Sequence, residues 1–85
     1  MNMNRINRLC LFTHTPARSR RAAALLAYFG RRAGNRAMLE LSSAMVELAH
    51  AQRYATIGAD TCARRHAEAH MRLCRRAVSL AEGGV

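Results

Sequence analysis

The most regular pattern in the chain lies in its last third. At about 100° per residue, one side of a helix collects Cys62, Ala63, His66, Ala67, His70, Met71, Leu73, Cys74, Ala77, Val78, Leu80 and Ala81. The other side collects Arg64, Arg65, Glu68, Arg72, Arg75, Arg76, Ser79 and Glu82, with no large aliphatic residue among them. This division predicts an amphipathic helix over about 61–81, ended by Gly83 and Gly84. A second stripe precedes it. Met38, Leu41, Met45 and Leu48 follow one another at spacings of 3, 4 and 3, the seam pattern of a packed helix over about 36–56. Arg36, Glu40, Ser43, Glu47 and Tyr54 fall away from that seam, and Arg36 with Glu40 makes an i,i+4 pair.

Punctuation agrees with these periods. Thr15-Pro16 reads as an N-cap followed by proline at the first helical position, which starts a first helix over about 16–29. Gly30 and Gly34 then interrupt the pattern, and Asn35 caps the next helix. In "TIGAD", Gly58 suits the end of the second helix, and Asp60 or Thr61 suits the cap of the third. A loop this short forces antiparallel neighbours. Residues 1–14 show no clear period and read as a flexible N-terminal segment, leaving 15–85 as one small helical domain. The expected fold is all-α: an antiparallel helical hairpin preceded by a shorter basic helix.

Composition thins the core. The chain of 85 residues has seventeen Ala, no Trp and only four Phe or Tyr. A chain this small buries only about 60% of the surface it exposes when unfolded. Close helix approach is therefore expected, and so is a second copy, two hairpins pairing into a four-helix bundle. Leu25, Leu26 and Phe29 of the first helix face either a core or such a partner.

Charge changes the picture more. All fourteen basic residues are Arg, a usage that fits a bacterial or phage source with GC-rich coding. Residues 1–39 hold eight Arg and no acid, whereas residues 40–85 hold six Arg and five acids. Such an uncompensated basic half points to a polyanionic partner, of which nucleic acid is the commonest. The candidate contact residues are Arg18, Arg20, Arg21, Tyr28, Arg31 and Arg32 on the first helix, with Arg64, Arg65, Arg72, Arg75 and Arg76 on the third. Guanidinium groups grip phosphates, and an aromatic ring among them can stack on a base. No helix-turn-helix, zinc-finger, RNA-recognition or KH signature accompanies them, so contact with low sequence specificity, to DNA or RNA, is expected.

Cys62, His66, His70 and Cys74 stand at strict four-residue intervals and raise the question of a metal. Each interval rises about 6 Å along a helix, so the outer pair lies about 18 Å apart and one ion cannot take all four. One ion could take the pair His66 and His70, with its remaining ligands from elsewhere, and a two-fold dimer could supply an equivalent pair. The alternative is that the four line the seam between helices. "HAEAH" lacks the metalloprotease order, in which Glu follows the first His directly. Glu68 instead sits on the Arg side, where Arg64 and Arg72 can pair with it.

Neither paired carboxylates, nor G-x-S-x-G, nor a phosphate-cradling glycine loop occurs, and no enzyme activity or cofactor is expected. Three Cys without C-x-x-C spacing suit a reducing, cytoplasmic setting. The longest apolar run, Ala22–Gly30, falls well short of the about 20 residues that a membrane span needs. Three functions follow. The first is a small non-enzymatic regulator that binds nucleic acid. The second is a helical interaction module or inhibitor, of the phage or mobile-element type, that docks on a host protein complex. The third is a metal-binding bundle.

Overall fold

The computed structural model describes residues 15–83. They form three helices and, among the described residues, no strand: α1 (Pro16–Ala33), α2 (Arg36–Thr56) and α3 (Asp60–Ala81). The Thr15 side chain accepts a hydrogen bond from the Arg18 N–H at the start of α1, and Pro16 fills the first turn. Asn35 does the same for α2, accepting from the Met38 N–H at 3.1 Å.

α1 does not stop near Phe29. It passes through Gly30 and ends at Ala33. Gly30 is buried, and a Cβ there would sit 3.1 Å from both Met38 Cβ and Leu39 Cδ2. This glycine therefore lets α2 approach the α1 backbone, and that contact outweighs the helix penalty of about 1 kcal/mol. The break falls at Gly34, whose φ of 61° and ψ of 33° place it in the left-handed region. Its N–H donates to Arg31 O while the Asn35 N–H donates to Gly30 O, a Schellman turn. The same pair of bonds recurs after α2, from Gly58 to Ala55 O and from Ala59 to Tyr54 O. That turn delivers Ala59 straight into α3, so neither Asp60 nor Thr61 acts as the cap. Ala59 occupies the cap position without a side-chain bond, and Asp60 contributes only its charge to the first turn.

α2 packs on both other helices, and no contact of similar extent joins α1 to α3. Both pairings are antiparallel, as the short turns require. Against α1, Gly30 meets Met38 and Leu39, Ser42 meets Ala23, and Gln52 meets Ser19. Against α3, Glu40 meets Arg76, Ala44 meets His70, and Glu47 meets His66. α2 therefore has two inward faces. Glu40, Glu47 and Tyr54, which the heptad reading sets away from the seam, line the α3 side, and Glu40 pairs with Arg76 at 3.5 Å rather than with Arg36.

The apolar core is mostly alanine. Ala23, Ala44, Leu48, Ala49, Ala51 and Ala77 make the apolar core, joined by Ser19, Ser42, Gln52 and His70. Alanines at the contacts bring helix backbones close, and hydrogen bonds replace bulk. Ser19 Oγ–H donates to Gln52 Oε1 at 2.8 Å, and Ser42 Oγ–H donates to Ala23 O at 2.6 Å. Every buried side-chain N or O atom among the described residues has a partner, as a native core requires. No helix among the described residues is long and apolar enough to cross a membrane.

Candidate nucleic-acid interface

α1 sets its charges apart because its inward face is made from Ser19, Ala23 and Gly30, none of which is charged. All five Arg of the helix, Arg18, Arg20, Arg21, Arg31 and Arg32, are exposed, and the helix contains no acid. Arg31 and Arg32 lie in its last turn, where cations offset the negative end of the helix dipole. Among the described residues no carboxylate lies within ion-pair distance of any of the five. Their charge is left for a partner or for solvent.

Tyr28 stands among these Arg in a defined geometry. The Arg32 Nη1–H donates to the Tyr28 hydroxyl at 2.8 Å, and the Arg32 guanidinium carbon lies 5.5 Å from the centre of the Tyr28 ring. Spacing of i,i+4 on a helix makes this contact possible. Phe29 meets Tyr28 edge-on, with ring centres 5.2 Å apart and planes at 82°. Tyr28 is 49% exposed, and Leu25 and Phe29 are each 52% exposed. Among the described residues nothing covers the apolar flank of α1. The sequence reading places Phe29 toward a core or partner; its contact with Tyr28 was not legible, because adjacent residues on a helix ordinarily diverge.

α3 exposes Arg64, Arg65, Arg72, Arg75 and Arg76 on one side. Arg76 is tied to Glu40, and Glu68 forms no ion pair with Arg64 or Arg72. The α1 and α3 strips are carried on helices that both pack on α2, not on one adjacent pair. The structure therefore shows two basic strips flanking a common helix.

The Cys/His ladder turns inward in its middle and outward at one end. His70 is buried, and its Nδ1 lies 2.7 Å from Ala44 O. A carbonyl only accepts, so Nδ1 carries the proton. His70 Nε2 then faces Cys74 Sγ at 3.6 Å. His66 Nδ1 lies 2.6 Å from Glu47 Oε2, and its ring stacks on Tyr54 with centres 5.3 Å apart and planes at 6°. His50 adds a third ring, 5.1 Å from His66. Cys62 is exposed, contrary to its place on the seam side of the helical projection. No group of three or more His, Cys, Asp or Glu residues that could hold a metal ion occurs among the described residues. His66 and His70 join α3 to α2.

Comparison of the chain with protein-family models, with curated proteins and with solved structures found no match in any of the three.

Proposed function

We propose that this chain is a small non-enzymatic regulator that binds nucleic acid through the Arg faces of α1 and α3. The observation that carries the proposal is α1 itself: an 18-residue helix with five exposed Arg, no acid, and no carboxylate partner for any of them among the described residues. Surface Arg usually occurs among acids that neutralise it, and a face without them attracts polyanions. Arg18, Arg20, Arg21, Arg31 and Arg32 hold phosphates, Arg64, Arg65, Arg72 and Arg75 extend the contact, and Tyr28 supplies a ring. Arg76 takes a lesser part because Glu40 shares its charge. Contact is phosphate-driven, with low sequence specificity, in the cytoplasm of a bacterial or phage-infected cell. Binding of a labelled arbitrary-sequence duplex across a salt series tests the proposal. Affinity that falls log-linearly with salt supports it. No binding at low salt refutes it, since a chain of net charge +9 with open basic faces must bind at least weakly.

A second reading has its own support. Leu25, Phe29, Ile57 and Val78 are all more than half exposed, and a core of alanines leaves apolar side chains to spare. These would serve a second copy, giving a four-helix bundle, or a host protein complex that the chain inhibits. Apolar docking shows little response to salt, which separates it from phosphate binding.

A further inference from the structure

We propose that the exposed α1 face takes single-stranded nucleic acid in preference to duplex, with unpaired bases stacked on Tyr28 and Phe29 and the adjoining phosphates held by Arg21 and Arg32. This rests on the nucleic-acid reading above and narrows it to a substrate class.

The argument starts from what a duplex offers. Its bases are stacked on one another, and only their edges reach the grooves. A protein ring then has no base face to meet unless it wedges into a step and kinks the helix. A single strand exposes base faces, and aromatic side chains or guanidinium planes bind them with little regard to sequence. Phosphate binding alone requires Arg and nothing else. The α1 face carries more than that. Tyr28 and Phe29 are about half exposed, on the one helix among the described residues that lacks any acid.

These rings are also held in place. Arg32 is bonded to the Tyr28 hydroxyl and lies over its ring, while Phe29 abuts the ring edge-on. All three side chains stem from the continuous helix Pro16–Ala33, which is anchored to α2 through Ser19, Ala23 and Gly30. A site presented on a rigid element loses less freedom when a flexible strand settles on it.

The same observations weigh against two other occupants. A helix lying in a membrane interface needs a broad apolar face. α1 spends its inward face on α2 and exposes only Leu25, Tyr28 and Phe29 as large apolar side chains. A stable protein interface buries about 800 Å² on each partner. Three half-exposed side chains fall well below that, yet two rings suffice for one or two bases.

The test compares the full chain with labelled oligo(dT), oligo(U) and a duplex of equal phosphate number, by fluorescence anisotropy at low and at moderate salt. Single strands of both kinds, or oligo(U) alone, should bind about tenfold or more tightly than the duplex. Tyr28→Leu with Phe29→Leu keeps apolar bulk and removes the rings. It should weaken strand binding about tenfold and duplex binding by a much smaller factor. The chain has two Tyr and no Trp. In a Tyr54→Phe background the remaining tyrosine emission therefore reports Tyr28, and it should be quenched as the strand binds. Duplex binding as tight as strand binding, or a double variant that binds the strand as well as the parent, overturns this inference and leaves the general reading standing. Failure of strand and duplex alike at low salt overturns both. Phe29-dependent capture by anionic phosphatidylglycerol vesicles, with no strand preference, assigns the face to a membrane instead.

Discussion

His70 of α3 donates its Nδ1–H to the main-chain oxygen of Ala44 on α2, at 2.7 Å and out of solvent. Ala44 is itself fully buried, so the imidazole fills the space that this small side chain leaves between the helices. A single residue thus provides both volume and a hydrogen bond at the centre of the α2–α3 contact.

His70→Ala should therefore destabilise the fold by about 2–4 kcal/mol, from a cavity and a lost hydrogen bond together. His70→Leu restores most of the volume and should cost about 1–2 kcal/mol, the bond alone. Urea denaturation followed by circular dichroism measures both. A His70→Ala variant within 0.5 kcal/mol of the parent, about the scatter of a surface change, would show that the seam does not depend on this residue.

Arg76 and Glu40 offer the contrast. Their atoms lie 3.5 Å apart, but the Arg76 side chain is 62% exposed. Exposed ion pairs contribute about 0–1 kcal/mol. Arg76→Ala should shift the urea midpoint little, and Glu40→Gln should do the same. A loss above about 2 kcal/mol in either would mean that the pair organises the α2–α3 contact in a way its exposure does not suggest.

Gly30 and Gly34 separate two reasons for glycine. At Gly30 the helix is regular, so Gly30→Ala brings a propensity gain of about 1 kcal/mol. It also pushes a methyl to 3.1 Å from Met38 Cβ and Leu39 Cδ2. Leu39 has a flexible end and can yield, but Met38 Cβ cannot move without its backbone. Overpacking costs about 1–3 kcal/mol, so net destabilisation is expected. The cost should shrink when Leu39 is already Ala, a coupling that a double-mutant cycle detects. At Gly34 nothing lies within 4 Å, and the φ of 61° alone opposes a side chain. Gly34→Ala should cost about 1 kcal/mol irrespective of Leu39. Stabilisation by Gly30→Ala would contradict the close approach of α1 and α2.

These residues also show what the sequence could tell. Thr15, Pro16, Asn35 and Gly58 signal helix ends through local chemistry, and the structure uses each of them at an end. The polar face of α3 is legible for the same reason: Arg at helical spacing has nowhere to go but solvent. Gly30 misleads because its role lies in a contact with Met38 and Leu39, which no local rule contains. α2 misleads more deeply. The heptad reading assumes that large apolar residues mark the single buried side. Here Met38, Leu41 and Met45 are only half-buried, while Ala44 and Ala51 are fully buried and Glu47 and Glu40 reach across to α3. A helix gripped on two sides by alanine contacts carries little hydrophobic periodicity. The candidate interface was legible in its Arg positions and in Tyr28, since charge and exposure go together. Its Phe29 edge contact and the Arg32 clasp depend on rotamers.

The two basic strips make a last prediction. For B-DNA each phosphate contact adds roughly 0.9 to the slope of log affinity against log salt. If α1 dominates, Arg20, Arg21, Arg31 and Arg32 changed together to Ala should lower the slope by up to about 3.6. The same count removed from α3, at Arg64, Arg65, Arg72 and Arg75, should lower it less, because Glu68 lies among them and α3 carries one further acid, Asp60. All eight side chains are exposed, so the melting temperature of both variants should stay near that of the parent. That stability check separates lost contacts from lost fold. Equal slopes for the two variants would mean that one strand spans both strips across α2. An unchanged slope for the α1 variant would remove α1 from the interface and transfer the proposal to α3.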